Sequence, residues 1–307
     1  MATSVLEAIS NELATAAEAA GNSVVAVHAR RWMPASGIEW KPGVVVTAHH
    51  GVRRDEDIHV ALAGGQVVKA TLAGRDPSTD IAVLRIDTPE IQRAASPGTV
   101  SGDSTTLKLG HVVLALGRTR RGELVASSGI VGGISGEWKS WRGGQLDQHI
   151  RLDLALYPGF SGGPLVNTRG AIVGMNTRGL SRGRAVTVPV ATVTRVVEEL
   201  LEKGHVARPY LGLSMQPAAL PENARKQLNS EARAGLLVVH VESDGPAEKA
   251  GLLLGDLLID LAGQPVERVE AIQEFLYGAK VGQKVEVRLL RAGEIKSVTI
   301  TLGERAR

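Results

Sequence analysis

The stretch Pro158-Gly159-Phe160-Ser161-Gly162-Gly163-Pro164-Leu165 is the most specific string in the 307-residue chain. A serine hydroxyl becomes a strong nucleophile only when a base takes its proton, and the tetrahedral intermediate needs N–H donors aimed at its oxyanion. Glycines allow a tight turn and present backbone N–H groups without a Cβ in the way. The string therefore predicts a nucleophilic Ser161, with an oxyanion hole formed by the N–H groups of Gly159 and Ser161. A turn without catalytic role is the alternative.

Histidine and aspartate candidates precede this serine in the chain. Val46-Thr47-Ala48-His49-His50 is an apolar strand pattern that ends in two histidines, and alternation along a strand places them on opposite sides. Asp76-Pro77-Ser78-Thr79-Asp80 leads into a buried strand, where a carboxylate could cap a turn or accept the Nδ1–H of a histidine. The order His, Asp, Ser is the chymotrypsin-type order and differs from those of α/β-hydrolases and subtilisins.

The distribution of apolar runs predicts the fold class. Two sets of about six short Val- and Ile-rich runs, in residues 22–88 and 105–190, predict two six-stranded antiparallel barrels. A helix with Gly204 past its end closes this part, so we expect a domain over residues 22–204. Residues 208–304 mix five strands with two helical segments, which predicts a separate α+β domain. The chain is therefore expected to be mainly β.

An amphipathic helix is predicted at the N-terminus, within residues 1–21. Val5, Ile9, Leu13 and Ala17 are four residues apart and would share one face. We expect this face to pack on the domain that follows rather than on a membrane surface.

Composition excludes several classes of protein. The chain has no cysteine, which rules out disulfides and Cys-ligated zinc, and its histidines lack metal-ligand spacing, so we expect no metal and no cofactor. The formal net charge of +3 is spread along the chain, so no nucleic-acid partner is expected. No apolar stretch is long enough to span a membrane, and residues 1–21 do not resemble a signal peptide. This leaves a cytoplasmic location, or the periplasm or cell envelope for a trimmed mature form.

Together these motifs resemble the HtrA/DegP family of bacterial serine proteases over nearly the whole chain. The histidine, aspartate and serine strings of that family, aligned with this sequence, imply His50, Asp80 and Ser161 as the catalytic residues. The resemblance also implies a trypsin-like fold, ATP-independent cleavage of unfolded or damaged proteins, and assembly into a homotrimer or a higher homo-oligomer.

The sequence departs from the family pattern around the nucleophile. Tyr157 and Phe160 stand where the family has asparagines. Phe160 also occupies the position of the acid that pairs with a newly cut N-terminus in trypsin-type enzymes, so that mode of activation is excluded. Activity is expected to depend instead on ordering of the surrounding loops.

A substrate pocket can be predicted from the residues around the serine. Trypsin-like pockets carry an acid six residues before the nucleophile, where this chain has Ala155. The flanking strands offer Thr177, Val186 and Val188. These residues predict cleavage after small or medium aliphatic side chains.

Nearby loops are rich in arginine. We expect their charges to be solvated, with contact to acidic segments of a substrate or a neighbouring subunit as the alternative. The residues are Arg118, Arg120, Arg121, Arg178, Arg182 and Arg184.

The C-terminal domain resembles a bacterial PDZ domain. Tyr210-Leu211-Gly212-Leu213 matches the loop whose N–H groups receive a peptide's terminal carboxylate, and the strand that follows can pair with the peptide. The helical segment near residues 268–276 would form the opposite wall through Val269, Ile272 and Phe275. An assembly contact is the alternative role for this domain.

The combined hypothesis is a protein-quality-control serine endopeptidase that recognises peptide C-termini through its PDZ domain. A catalytically latent peptide-binding chaperone or scaffold is the main alternative, because Phe160 beside the nucleophile could hold the oxyanion loop inactive. A regulatory protease with a single partner is a third.

Overall fold

The chain folds into two compact units, which divide between Val206 and Ala207. The computed structural model describes residues 4–31, 33–86, 102–181, 184–222, 225 and 233–304. Within these residues, the first unit holds two barrels and two long helices, and the second holds a six-stranded sheet, a two-stranded sheet and the helices Pro246–Lys249 and Val269–Gly278.

Helix α1 (Val5–Gly21) opens the first unit. It begins after Ser4, whose hydroxyl accepts the N–H of Glu7. Its first turns are exposed, with Val5 at 76% and Ile9 at 47% exposure, so the predicted apolar face is wrong for this half. Only the later turns of the helix contact the barrel core. The residues that pack there are Leu13, Ala16, Ala17 and Ala20.

The first barrel is closed by six antiparallel strands in the order β1-β2-β3-β6-β5-β4. These strands are β1 (Val24–His28), β2 (Ala35–Lys41), β3 (Val44–Ala48), β4 (Ile58–Ala61), β5 (Val67–Asp76) and β6 (Ile81–Ile86). Its interior is aliphatic, with Val25, Val45 and Leu84 fully buried. A 3-10 turn, His49–Gly51, follows β3 directly.

The second barrel has the strand order β11-β14-β13-β12-β7-β8 and is also closed. A 3-10 turn, Ser104–Thr106, precedes it, and a two-stranded hairpin of β9 and β10 lies outside it. The strands are β7 (Val112–Arg118), β8 (Leu124–Ser135), β9 (Trp138–Lys139), β10 (Gln145–Leu146), β11 (His149–Asp153), β12 (Pro164–Asn167), β13 (Ile172–Thr177) and β14 (Val186–Pro189).

Helix α2 (Val190–Lys203) follows the second barrel and ends at Gly204, which has a left-handed φ of 77°. Val193 and Leu200 bury its apolar face in the main core of the unit. The predicted fold class, a mainly β chain with two closed six-stranded antiparallel barrels, is confirmed.

The second unit is an α+β fold built on one sheet. Strand β16 lies at the edge of the path β16-β17-β18-β20-β21, β19 pairs only with β18, and β15 pairs separately with β22. Its elements are β15 (Pro209–Tyr210), β16 (Leu213–Ala219), β17 (Ala234–Val241), α3 (Pro246–Lys249), β18 (Leu257–Leu261), β19 (Gln264–Pro265), α4 (Val269–Gly278), β20 (Lys284–Arg291), β21 (Glu294–Thr301) and β22 (Gly303–Glu304). No helix in the described ranges has the length and apolar character needed to cross a bilayer.

Strand β2 buries the carboxyl group of Glu39, one of whose oxygens lacks a hydrogen-bond partner among the described residues. Glu39 is 3% exposed, and within the described residues its Oε1 atom has no hydrogen-bond partner. This burial raises the pKa of the Glu39 carboxyl group, because the charged form is poorly solvated there.

We expect Glu39→Gln to stabilise the first unit at neutral pH. Because the folded-state pKa of Glu39 is raised, the protonated carboxyl group is favoured in the folded protein. Its contribution to the free energy of unfolding is fully present below the unfolded-state pKa and is lost as the pH rises through the folded-state pKa. Calorimetry should give a Tm gain for the variant that grows from near zero at acidic pH to about 2–4 °C at neutral pH. Glu12→Gln, at an exposed position of α1, is the control. A Tm difference that does not change with pH would contradict this account.

Candidate active site

His50 and Asp80 form a hydrogen-bonded pair at one end of the first barrel. The His50 Nδ1 atom lies 2.7 Å from Asp80 Oδ2, and the backbone N–H of His50 donates to Asp80 Oδ1 at 2.9 Å. Asp80 is 1% exposed, whereas the His50 side chain is 28% exposed. The carboxylate therefore fixes the ring through Nδ1 and leaves Nε2 as the nitrogen that can exchange a proton.

The turn between β5 and β6 gives the two candidate aspartates different surroundings. Asp76 accepts hydrogen bonds from the hydroxyl groups of Ser78 and Thr79, and so caps the turn. Asp80 has a left-handed φ of 58°, and its backbone carbonyl accepts the N–H of His49 at 2.9 Å. Strained backbone of this kind is common where side-chain direction matters.

The neighbouring histidine, His49, is not paired with the carboxylate through its ring. In the described part of the chain its Nδ1 atom is buried without a hydrogen-bond partner. Burial lowers the pKa of His49, which favours the neutral ring. The geometry thus places His50, rather than His49, on Asp80.

Thr177, at the end of β13, supports the pair from the second barrel. It is fully buried, and its hydroxyl donates to Asp80 Oδ2. The Thr177 hydroxyl oxygen in turn accepts the N–H of Gly179 at 2.8 Å. The hydroxyl of Thr177 is thus committed to the carboxylate, and its place in the substrate pocket stays a prediction.

The loop that carries Ser161 is held by backbone hydrogen bonds. Gly159 has a φ of 97°, a conformation that favours glycine, and its carbonyl accepts both the N–H and the hydroxyl of Ser36, at 2.8 and 2.7 Å. The N–H groups of Gly159 and Ser161 donate to no acceptor among the described residues. Two such donors beside a serine hydroxyl could stabilise an oxyanion.

This loop packs directly on the strand that leads to His50. A Cβ at Gly162 would lie 2.8 Å from the backbone nitrogen of Ala48, so only glycine allows the approach. No hydrogen bond joins Ser161 Oγ to His50 within the described residues. Bonds of this kind are often long without substrate and tighten in the complex.

The residues predicted to line an aliphatic pocket differ in their burial. Val186 and Val188 are fully buried, and Val188 belongs to the core cluster that also contains Val193, whereas Ala155 is exposed. Alternation along β14 cannot reveal which side faces another packed element, and a substrate pocket formed by these residues stays a prediction. A different cavity, of about 500 Å³, lies beside the serine loop and is lined by Met33, Pro34, Arg118, Thr119, Arg120, Val125, Ala126, Tyr157, Pro158, Gly159 and Phe160.

Phe160 anchors the serine loop by burying its ring. It is 5% exposed and clusters with Ala115 and Leu156, and its ring centroid lies 5.8 Å from that of Tyr157. An aromatic ring buried here stabilises the loop by about 1.5–3 kcal/mol. The position is thus filled by apolar packing rather than by a charged side chain.

The loop arginines differ in their surroundings. Arg118 is 7% exposed and bonds backbone carbonyls, so the expectation of solvated charge is wrong for this residue. Arg120, Arg121, Arg178 and Arg184 are exposed, and Arg182 lies outside the described residues.

In the second unit, the loop before β16 has the features of a carboxylate-binding site. Gly212 has a φ of 76°, and the N–H groups of Leu211 and Gly212 have no acceptor in the described residues. Tyr210 is half-buried ahead of this loop, and Leu213 begins β16, whose outer edge is unpaired by the described strands.

Helix α4 contacts β16 and carries the three predicted side chains at different depths. Val269 and Phe275 are half-buried, whereas Ile272 is 2% exposed and packs in the core of the unit. Ile272 therefore faces the core of the unit, so its predicted contact with a peptide would be indirect.

Metal ligation finds no support in the described ranges, where no group of three His, Asp or Glu side chains could hold an ion.

Comparisons with known proteins cover both units. The family "Trypsin-like peptidase domain" matches residues 35–175, and the family "PDZ domain" matches residues 209–302. "Serine protease Do-like HtrA" of Bacillus subtilis is 35% identical over 275 residues, covering 85% of this chain and 60% of the relative. "Protease Do-like 1, chloroplastic" of Arabidopsis thaliana is 33% identical, with 87% and 63% coverage. The chain thus spans about three fifths of the length of these curated relatives.

Solved structures match over nearly the whole chain. A structure described as "HtrA-type protease AlgW with tripeptide" is 30% identical, with a TM-score of 0.67 and coverage of 96% of this chain and 98% of that one. The "serine endoprotease from Yersinia pestis" is 28% identical, with a TM-score of 0.69 and the same coverage.

Gly179→Ala should break the His50–Asp80 pair. An added Cβ would lie 2.5 Å from Asp80 Oδ2 and 2.8 Å from His50 Nδ1, and neither atom can move without losing its hydrogen bond. Proton NMR should show the downfield Nδ1 proton of His50 in the wild-type protein and its loss in the variant. Gly64→Ala, where nothing lies within 4 Å, should leave the resonance in place. Retention of the resonance in Gly179→Ala would refute the packing described here.

Proposed function

The chain belongs to the family of HtrA-type serine proteases, and from this premise we propose that it is a serine endopeptidase with Ser161, His50 and Asp80 as its catalytic triad. The observation that carries the proposal is the buried Asp80 carboxylate, which holds both the ring and the backbone of His50. The serine loop packs against the strand that leads to the same histidine.

The proposed mechanism begins with proton transfer from Ser161 Oγ to His50 Nε2. The serine oxygen attacks the carbonyl carbon of the scissile peptide bond, and the carbonyl oxygen becomes an oxyanion held by the N–H groups of Gly159 and Ser161. His50 then gives its proton to the leaving amine, and the C–N bond breaks to leave an acyl-enzyme. A water molecule, deprotonated by His50, attacks the ester and releases the carboxylic acid and the free serine.

Asp80 contributes by orienting the imidazole and by stabilising its charged form. Its carboxylate accepts from the His50 N–H, from the Nδ1–H of the ring and from the hydroxyl of Thr177, so the imidazole has one position and one tautomer. The tautomer with Nδ1 protonated is the one that leaves Nε2 free to act as a base.

The proposed substrates are unfolded or damaged polypeptides, cleaved without ATP. An extended segment can enter a cleft at the surface of a barrel enzyme only when the surrounding chain does not hold it in a fold. Family membership supports this assignment, as do the related structures of the HtrA-type protease AlgW with a decapeptide and with a tripeptide.

The second unit is proposed to bind peptide C-termini. The free N–H groups of Leu211 and Gly212 suit a carboxylate, and the open edge of β16 suits an added strand. Val269 and Phe275 on α4 would contact the terminal apolar side chain.

Assembly into a homotrimer or a higher homo-oligomer is also proposed. Family membership supports it, and the exposed apolar side chains of Val5 and Leu6 at the start of α1 offer surface that a neighbouring subunit could cover.

A fluorophosphonate probe tests whether Ser161 is activated. The wild-type chain should be labelled at Ser161 and should cleave unfolded β-casein, and Ser161→Ala should abolish both. Asp80→Asn should lower the rate by about 10⁴, because it favours the wrong imidazole tautomer. The exposed Ser135→Ala is the control. A folded wild-type chain that resists labelling would overturn the proposal and favour the catalytically latent chaperone or scaffold.

Peptide binding by the second unit should depend on a free C-terminus. A fluorescent peptide with a free carboxylate and an apolar last residue should bind at least about tenfold more tightly than its C-terminal amide, because only the carboxylate accepts charge-assisted bonds from the loop N–H groups. Fluorescence anisotropy measures both affinities, and Leu254→Ala, at an exposed position outside the groove residues, is the control variant. Equal affinities would rule out recognition of the terminus.

A further inference from the structure

The side chain of Ser36, on β2, bridges the serine loop and the second barrel. It is fully buried, its hydroxyl donates to the Gly159 carbonyl at 2.7 Å and accepts the backbone N–H of Arg118 at 3.0 Å. Its own N–H is shared between the carbonyls of Gly159 and Ser161, at 2.8 and 3.2 Å. The hydroxyl of Ser36 thus acts both as a donor and as an acceptor, and both of its partners are backbone groups.

The space around Ser36 is made by glycines on the second barrel. A Cβ at Gly117 would lie 2.9 Å from the Ser36 hydroxyl oxygen, and a Cβ at Gly163 would lie 3.1 Å from the Ser36 Cβ. Larger residues at these two positions would push the side chain away from Gly159. The local backbone is therefore shaped to admit one small hydroxyl-bearing side chain.

Arg118 fixes the other end of the bridge. Its guanidinium group donates to the carbonyls of Val24, Gly122 and Gly21, at 2.6, 2.5 and 2.8 Å. It thus ties the end of β7 to the start of β1 and to the last residue of α1. The N–H that Arg118 presents to Ser36 is consequently held in place by three separate segments of the first unit.

The bridge bears on the direction of one oxyanion donor. The Gly159 N–H and the Gly159 carbonyl belong to one residue. Its φ is 97°, and because glycine has no Cβ, sterics alone restrict its backbone only weakly. Two hydrogen bonds on the carbonyl limit rotation of that residue, and so limit the directions that its N–H can take. Without the hydroxyl, one hydrogen bond from the Ser36 N–H remains on this carbonyl.

We propose that Ser36 is a positioning residue for the oxyanion hole, acting through the Gly159 carbonyl and braced by Arg118. The inference rests on the proposed protease function and adds to it a residue remote from the reacting atoms. Ser36 touches neither substrate nor the attacking oxygen; it sets how well the Gly159 N–H is aimed before the oxyanion forms.

Ser36→Ala should lower kcat about tenfold while KM stays within about twofold, after correction for the active fraction by site titration. Removing an oxyanion donor outright costs about 10²–10³ in kcat, and this variant only loosens one donor. The hydrogen bond from the Gly159 N–H to the oxyanion forms in the transition state and not on substrate binding, so the variant should lower kcat rather than raise KM. The affinity of a peptide boronate, whose tetrahedral adduct places an oxygen in the hole, should fall by a similar factor.

Thr192→Val is the matched control. Thr192, at the start of α2, also has a fully buried hydroxyl, which donates to the Asp147 carboxylate and accepts the Asp147 N–H. It should lose stability without changing kcat or boronate affinity. A kcat for Ser36→Ala equal to that of the wild type, or a loss of kcat matched by Thr192→Val, would overturn the inference while leaving the protease function intact.

Hydrogen exchange separates this inference from the proposed function. If the wild-type chain fails to react with the fluorophosphonate probe, the protease function falls, and exchange in residues 157–163 then decides the role of Ser36. Faster exchange there in Ser36→Ala, but not in Thr192→Val, supports positioning of the loop by the hydroxyl. Unchanged exchange in Ser36→Ala overturns it.

Discussion

The hydrogen bonding of one buried carboxylate, that of Asp80, is the constraint on which the site depends. Burying an unpaired carboxylate costs several kcal/mol, so the fold must supply donors wherever this group is placed. Those donors come from both barrels: His50 follows β3 of the first, and Thr177 ends β13 of the second. The relative position of the two barrels is therefore tied to the position of the imidazole, and any shift between them would expose or orphan the charge.

Close backbone approach is the second consequence of bringing the barrels together. Gly179 lies against the His50–Asp80 pair and Gly162 lies against the end of β3, at distances that no Cβ would allow. Glycine weakens regular structure, at about 0.5–1 kcal/mol relative to alanine, yet here it permits contacts that align groups from different segments. The glycines around Ser161 therefore serve the geometry between the barrels as well as the local turn.

The sequence was sufficient for features that depend on local pattern. Alternating and continuous apolar runs predicted both barrels. The strings around His50 and Asp80 located two side chains that form a pair, and the string around Ser161 located a loop that packs on the strand leading to His50. Features that depend on which side of a strand meets another element were not predictable in this way. Val188 is core, Thr177 serves Asp80, and Arg118 is buried, because each is determined by contacts between residues far apart in the chain.

The serine loop shows how a loop can be ordered without an ion pair. Phe160 fills its place by apolar burial beside Ala115 and Leu156, and Ser36 holds the adjacent Gly159 carbonyl through neutral hydrogen bonds. Neither contact requires a free chain terminus or a cleavage event, and neither titrates near neutral pH. These contacts, which order the loop, lie within the first unit. A change in that packing, at β2, at the end of β7 or at the last turn of α1, would reach the loop through Ser36 and Arg118, since these two residues join all three segments.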